Sequence, residues 1–122
     1  MPDTKTPGLL RLRVKIWLER GDAVVLSEYR ARLLEAIALH GSVAAAAAAL
    51  HLPVRTAWKK LREMEAAAGI PLLESGSGGS TGGGSALTPE AHAMVGAFRR
   101  IAAPTTVAAE QGFADERRRF PR

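Results

Sequence analysis

A chain of 122 residues is long enough for one domain with a modest core. Apolar residues make up 47% and charged residues 24%, no apolar run reaches the roughly 20 residues of a membrane span, and the absence of cysteine excludes disulfides, thiolate zinc sites and thiol catalysis. Seventeen basic residues against twelve acidic ones give a formal charge of +5, which suits a polyanionic partner without specifying one.

Residues 1–8 carry two prolines and a glycine and are expected to form a disordered tail. The N-terminus has no apolar signal core, so the cytoplasm is the expected location and no membrane partner is expected. Leu10, Leu12, Val14, Ile16 and Leu18 alternate with Arg11, Arg13, Lys15, Trp17 and Glu19, the period of a half-buried strand. Arg20-Gly21-Asp22 is a turn signal, and Ala23–Leu26 returns as the second strand of a β-hairpin. Ser27 is placed as a helix N-cap, Leu33, Leu34, Ile37 and Ala38 as the buried stripe, and Gly41 as the stop. Ser42 caps a short alanine-rich helix that runs to about Leu50. His51-Leu52-Pro53 interrupts it, and a helix over 53–68 follows with Val54, Ala57, Trp58, Leu61 and Met64 as its predicted buried stripe. Gly69 and Pro71 end that helix.

Pro71–Glu74 and Ala86-Leu87 are candidate strands on either side of a tract, 75–85, of almost pure glycine, serine and threonine. Thr88-Pro89-Glu90 opens a last helix with Ala91, Met94, Val95, Phe98 and Ile101 or Ala102 inward. Pro104 is expected to break or kink it, and Val107–Phe120 to form a further helix.

The segment Gly41–Leu73 is the most informative. A short helix of small residues lets the next helix cross it closely, which is what a helix-turn-helix needs to hold its second helix in the major groove of double-stranded DNA. Arg55, Lys59 and Arg62 are spaced by four and three and share a face, with Thr56 and Lys60 beside them. These residue types donate to guanine edges and phosphates. Arg55 and Thr56, near the start of the helix, are assigned to bases, Lys59 to an intermediate role, and Lys60 and Arg62 to phosphates. An isolated cationic helix would more simply be a solvated face; the preceding helix and turn favour the DNA reading.

The segment Gly41–Leu73 resembles the helix-turn-helix of LysR-type regulators, with its opening Gly41-Ser42, the Ala-Ala pairs before Leu50, and Gly69-Ile70-Pro71-Leu72 at its end. The Ala57-Trp58 pair, the strand before the first helix and the glycine tract leading into Leu87-Thr88 are similar to the ModE family of molybdate-responsive regulators. The resemblance covers about residues 9–103. It implies an α+β winged helix-turn-helix with an N-terminal β-hairpin, a glycine-rich wing and a C-terminal helical region. It also implies a homodimer; the hairpin and the helices around Glu90–Ala103 and Val107–Phe120 lie outside the DNA-reading unit and are the candidate interface, with residues 104–122 as a helical extension and candidate dimerisation element. ModE proteins often carry an arginine just before the wing, where this chain has Ser75 and Ser77. They also carry C-terminal molybdate-binding domains, for which this sequence has no room, so direct molybdate sensing is not carried over; a separate effector-sensing protein is a possible partner that the sequence does not decide.

The candidate DNA-binding set is Ser42, Arg55, Thr56, Lys59, Lys60, Arg62, Ser77, Gly78, Gly79, Ser80 and Thr81. The tract 75–85 reads equally as a mobile linker and as a wing tip against the DNA backbone; it lacks the lysine and spacing of a nucleotide-binding loop. His40, His51 and His92 lack metal-ligand spacing, and Glu63 and Glu65 face different ways, so no cofactor, metal or enzyme activity is expected. Trp58 is assigned to the core by its spacing, and Trp17 to a contact with a neighbouring element or a partner subunit. Arg117–Arg119 reads as a solvated tail able to add phosphate affinity. Two rivals remain, a non-specific nucleoid-like DNA binder and a winged-helix protein-interaction adaptor.

Overall fold

A computed structural model describes residues 8–75 and 84–122. The chain runs β1 (Trp17–Arg20), β2 (Ala23–Ser27), α1 (Glu28–His40), α2 (Val43–Ala49), α3 (Val54–Ala68), β3 (Leu73–Ser75), β4 (Ser85–Leu87), α4 (Pro89–Glu116) and a 3-10 turn (Arg117–Arg119). The strands form two separate antiparallel ribbons, β1–β2 and β3–β4. The expected α+β architecture is present, with its hairpin, helix-turn-helix and wing ribbon.

Local chemistry explains most boundaries. Ser27 Oγ accepts from the Arg30 N–H at 3.2 Å, and Gly41, at φ 82°, closes α1 by donating to the Ile37 carbonyl at 2.8 Å. Ser42 Oγ accepts from Ala45 N–H at 3.0 Å and starts α2. His51 takes φ 57°, a left-handed conformation that lets Leu52 N–H return to the Ala47 carbonyl at 2.8 Å. Pro53 is the N-cap of α3 rather than its first residue, and Gly69, at φ 74°, is its C-cap.

The hairpin is shorter than its sequence pattern. Residues 8–16 form no strand. Trp17 pairs with Ser27, which already caps α1, so β2 offers no backbone to anything before Trp17. Val14 and Ile16 are half-buried, whereas Leu10 and Leu12 are exposed. A register shift between Leu18 and Glu19 also breaks the expected alternation, and all of β1 is exposed.

One core unites the helices. Leu26, Leu33, Leu34, Ile37, Leu61, Met64 and Leu72 are its fully buried large side chains, and Ala46 and Ala47 of α2 sit among them. α4 contributes Ala91, Val95 and Phe98, with Ala102 packed against the edge and Ile101 outside. Among the described residues no single helix is long and apolar enough to cross a membrane.

Pro104 does not end the last helix: α4 continues to Glu116 and takes in most of the expected separate helix. A proline inside a helix withholds one N–H from the preceding turn. The next carbonyl, of Ile101, gains a donor from the Thr105 hydroxyl at 2.6 Å. Beyond Ala102, α4 has no buried residue.

Candidate nucleic-acid interface

The recognition candidate α3 is held along its length and at its end. Its buried stripe is Ala57, Leu61, Met64 and Ala67. At its C-terminus Arg20 reaches from the hairpin turn, donating through Nε to the Ala67 carbonyl at 3.0 Å and through Nη2 to the Ala68 carbonyl at 3.2 Å. A cation there meets the negative end of the helix dipole. Glu65 accepts from the N–H groups of Leu72 and Leu73, at 2.8 and 3.4 Å, and so ties β3 to α3.

The wing is clamped from both sides. Ser85 N–H donates to the Gly41 carbonyl at 2.9 Å, joining β4 to the α1–α2 turn. Thr88 caps α4 by accepting from Ala91 N–H at 3.2 Å, and its hydroxyl donates to the Pro71 carbonyl at 3.1 Å. The root of the wing is thereby set against the same turn that positions α2. The residues joining β3 to β4, including the expected Ser77, Gly78, Gly79, Ser80 and Thr81, lie outside the described residues.

Outward, α3 presents a shallow open face lined by Arg55, Trp58, Lys59, Arg62, Glu63 and Ala66. Arg55, Lys59 and Arg62 are brought together as their spacing requires, all exposed, and take part in no ion pair among the described residues. Thr56 is half-buried at the side. Lys60 turns towards Glu63, 3.7 Å away, which also receives Arg30 at 3.3 Å. Lys60 therefore stands at the flank, partly neutralised. Ser42 lies on the neighbouring helix with its oxygen engaged in the cap.

Two α3 residues expected in the core are outside it. Trp58 is 38% exposed and Val54 43% exposed. The stripe Ala57, Leu61, Met64 already fills the inward face at steps of four and three, and Trp58 lies about 100° around the helix from Ala57. The guanidinium of Arg62 stacks over the Trp58 ring at 5.6 Å. Trp17 is likewise uncovered in the single chain, with its indole N–H on Glu19 at 2.9 Å.

Among the described residues no cluster of three metal-ligating side chains is present. The Bacterial regulatory helix-turn-helix protein, lysR family, model matches residues 30–92, just over half of the chain and all of α2, α3 and the wing strands. The chain belongs to the lysR family of bacterial regulatory helix-turn-helix proteins.

Within this lysR-family frame, the chain is 38% identical over 81 residues to the molybdenum-pterin-binding protein MopA of Rhodobacter capsulatus, covering 66% of this chain and 31% of that protein. It is 34% identical over 91 residues to the molybdenum transport protein ModE of Azotobacter vinelandii, covering 75% of this chain and 34% of that protein. It is also 37% identical over 73 residues to the transcriptional regulator ModE of Haemophilus influenzae, covering 60% and 29%. The chain thus spans about a third of the length of these relatives. Among solved structures, the CbnR DNA-binding domain in its complex with DNA is similar, at 28% identity and a TM-score of 0.56, over 70% of this chain and 92% of that one. The double resemblance, to LysR-type and ModE proteins, is borne out.

Proposed function

We propose that this lysR-family protein is a sequence-specific transcriptional regulator that binds double-stranded DNA as a homodimer, with α3 in the major groove. The observation that carries the reading is the set Arg55, Lys59 and Arg62, aligned on one exposed face of a helix whose other face is anchored in the core. The similar CbnR domain was crystallised with DNA, and the Haemophilus influenzae relative is named a transcriptional regulator, which supports the assignment.

Arg55 and Thr56 then face base edges near the start of α3, and Lys59 serves base or phosphate. Arg62, Lys60 and the hydroxyl proton of Ser42 serve phosphates. Ser77–Thr81 would follow the DNA backbone as the wing tip. Phosphate contacts supply salt-dependent affinity and base contacts choose the site. Regulation follows from occupancy in the cytoplasm and needs no catalytic step.

In this proposal residues 9–103 are the DNA-reading unit, residues 1–8 a tail, and residues 104–122 the dimerisation element. Ile101 at 61% exposure and Val107 at 63% are large apolar side chains on α4 left uncovered in the single chain and available to a second copy. Two-fold dimers place two recognition helices on paired half-sites.

The test is fluorescence anisotropy of the whole chain on a duplex selected from a randomised pool, against the pool itself, across a salt series. A large preference for the selected duplex is expected at every salt concentration. Equal, salt-dependent binding to both would replace specific regulation with nucleoid-like coating. Absence of binding at low salt would turn the search to protein partners.

A further inference from the structure

We propose that Trp58 reads sequence through shape and apolarity: its indole, with Val54 one turn before it, covers the 5-methyl group of a thymine in the major groove. The inference rests on the DNA-binding reading of α3 and adds to its cations a reader of a different chemical kind.

Three observations lead there. Trp58 and Val54 are both substantially exposed and lie four residues apart, so they form one apolar strip along α3. The inward face is complete without them, since Ala57, Leu61 and Met64 are each no more than 1% exposed. The strip also runs directly beside the cationic one, because Arg55, Trp58, Lys59 and Arg62 line a single shallow face.

A large apolar surface in such a place is unusual for a helix that only needs to hold charge against phosphate. Lysine or arginine at position 58 would serve that purpose without exposing an indole to water. The base edges of the major groove are hydrogen-bonding groups with one apolar exception, the thymine methyl. An indole has one donor and a broad apolar face, so its greatest gain comes from covering that methyl rather than from pairing with a purine edge.

The Arg62 guanidinium, 5.6 Å above the ring, restrains the indole from one side. A planar side chain held this way loses less freedom on binding than a free one. Arg62 and Trp58 would then act as a unit, the guanidinium towards a phosphate and the indole towards the base.

The experiment removes the methyl group alone. Each thymine of the selected duplex is replaced singly by deoxyuridine, which leaves every hydrogen-bonding edge unchanged. At one thymine in each half-site, uracil should weaken binding about fourfold, the value of one buried methyl group. For Trp58→Ala the thymine and uracil duplexes should bind equally, and Trp58→Phe should retain part of the discrimination. Circular dichroism of the variants checks that α3 is intact, and the deoxyuridine arm needs no change in the protein. If no thymine responds in the unaltered protein, or if the response survives in Trp58→Ala, the assignment is overturned. Failure of the underlying DNA reading is separately visible, because selection would then yield no preferred duplex, and the assignment would fall with it before any variant was made.

Discussion

Replacing Arg99 with methionine should loosen the attachment of α4 to the helix-turn-helix while keeping an unbranched chain of similar reach. Arg99 donates to both oxygens of Glu35, at 3.0 Å through Nε and 2.7 Å through Nη2, and through Nη1 to Glu28. Both carboxylates belong to α1, so one guanidinium bridges two helices far apart in sequence. The side chains are 33%, 42% and 53% exposed for Arg99, Glu35 and Glu28, so water screens the pairs. Screened pairs contribute about 0.2–1 kcal/mol each, with the bidentate Glu35 contact at the upper end. The expected cost at neutral pH is therefore roughly 1–2 kcal/mol. The hydrogen bond from Arg99 holds the Glu28 carboxyl below its ordinary value of 4.5; burial opposes that shift, and the hydrogen bond from Arg32 assists it. A carboxyl that binds its proton less readily in the folded state stabilises the fold fully above the ordinary value and ceases to do so as pH falls through the folded one. The cost of Arg99→Met should thus shrink in acid, below about pH 4.5, and in high salt. Urea unfolding followed by circular dichroism, at neutral and acid pH and at two salt concentrations, reads it. A cost that is the same in all conditions would refute the electrostatic origin and assign the effect to packing.

Other substitutions separate the roles on α3 from those around it. Leu61→Ala removes a side chain that is 1% exposed at the centre of the core and should cost about 2–5 kcal/mol in the same unfolding assay. Arg55→Ala should weaken binding to the selected duplex by roughly 1–3 kcal/mol and relax its sequence preference, whereas Lys60→Ala should weaken all duplexes alike and reduce the salt slope by about one. Equal losses on all sequences for Arg55→Ala would make it a phosphate contact. Ending the chain at residue 103 should shift the sedimentation profile towards monomer while the unfolding transition of the remaining domain persists; an unchanged profile at low concentration would remove residues 104–122 from the interface.

The order of elements was legible because its signals are local. Ser27, Ser42 and Thr88 cap helices through hydrogen bonds to N–H groups three residues on, and Gly41 and Gly69 stop them by adopting positive φ. Those geometries depend on a few consecutive residues, so a reading of consecutive residues finds them. The cationic set Arg55, Lys59 and Arg62 was legible for the same reason, since helical periodicity alone aligns it.

Most of what failed depended on neighbours distant in the chain; Pro104 is the local exception. The alternation from Leu10 to Leu18 promised a long strand, but strand length is set by the partner, and β2 gives way to α1 at Ser27. Trp58 satisfied the periodicity of a buried stripe as well as Ala57 did; only the packing of α3 against β2 and the other helices decided which of the two faces inward. Pro104 was expected to interrupt α4 from its own chemistry, and the helix nevertheless runs on past it.

Sequence by itself therefore determined the order of α1, α2 and α3, the caps at Ser27, Ser42 and Thr88, the break at His51 and the charged face of α3, because hydrogen bonds and periodicity within a few residues specify them. Tertiary structure alone decided how α3 is rotated about its axis, how the wing is moored to Gly41 and Pro71, and that Arg99 joins α4 to α1. Those features arise where segments far apart in the chain compete for one core and for one another's polar groups, and no spacing along a single segment encodes the outcome.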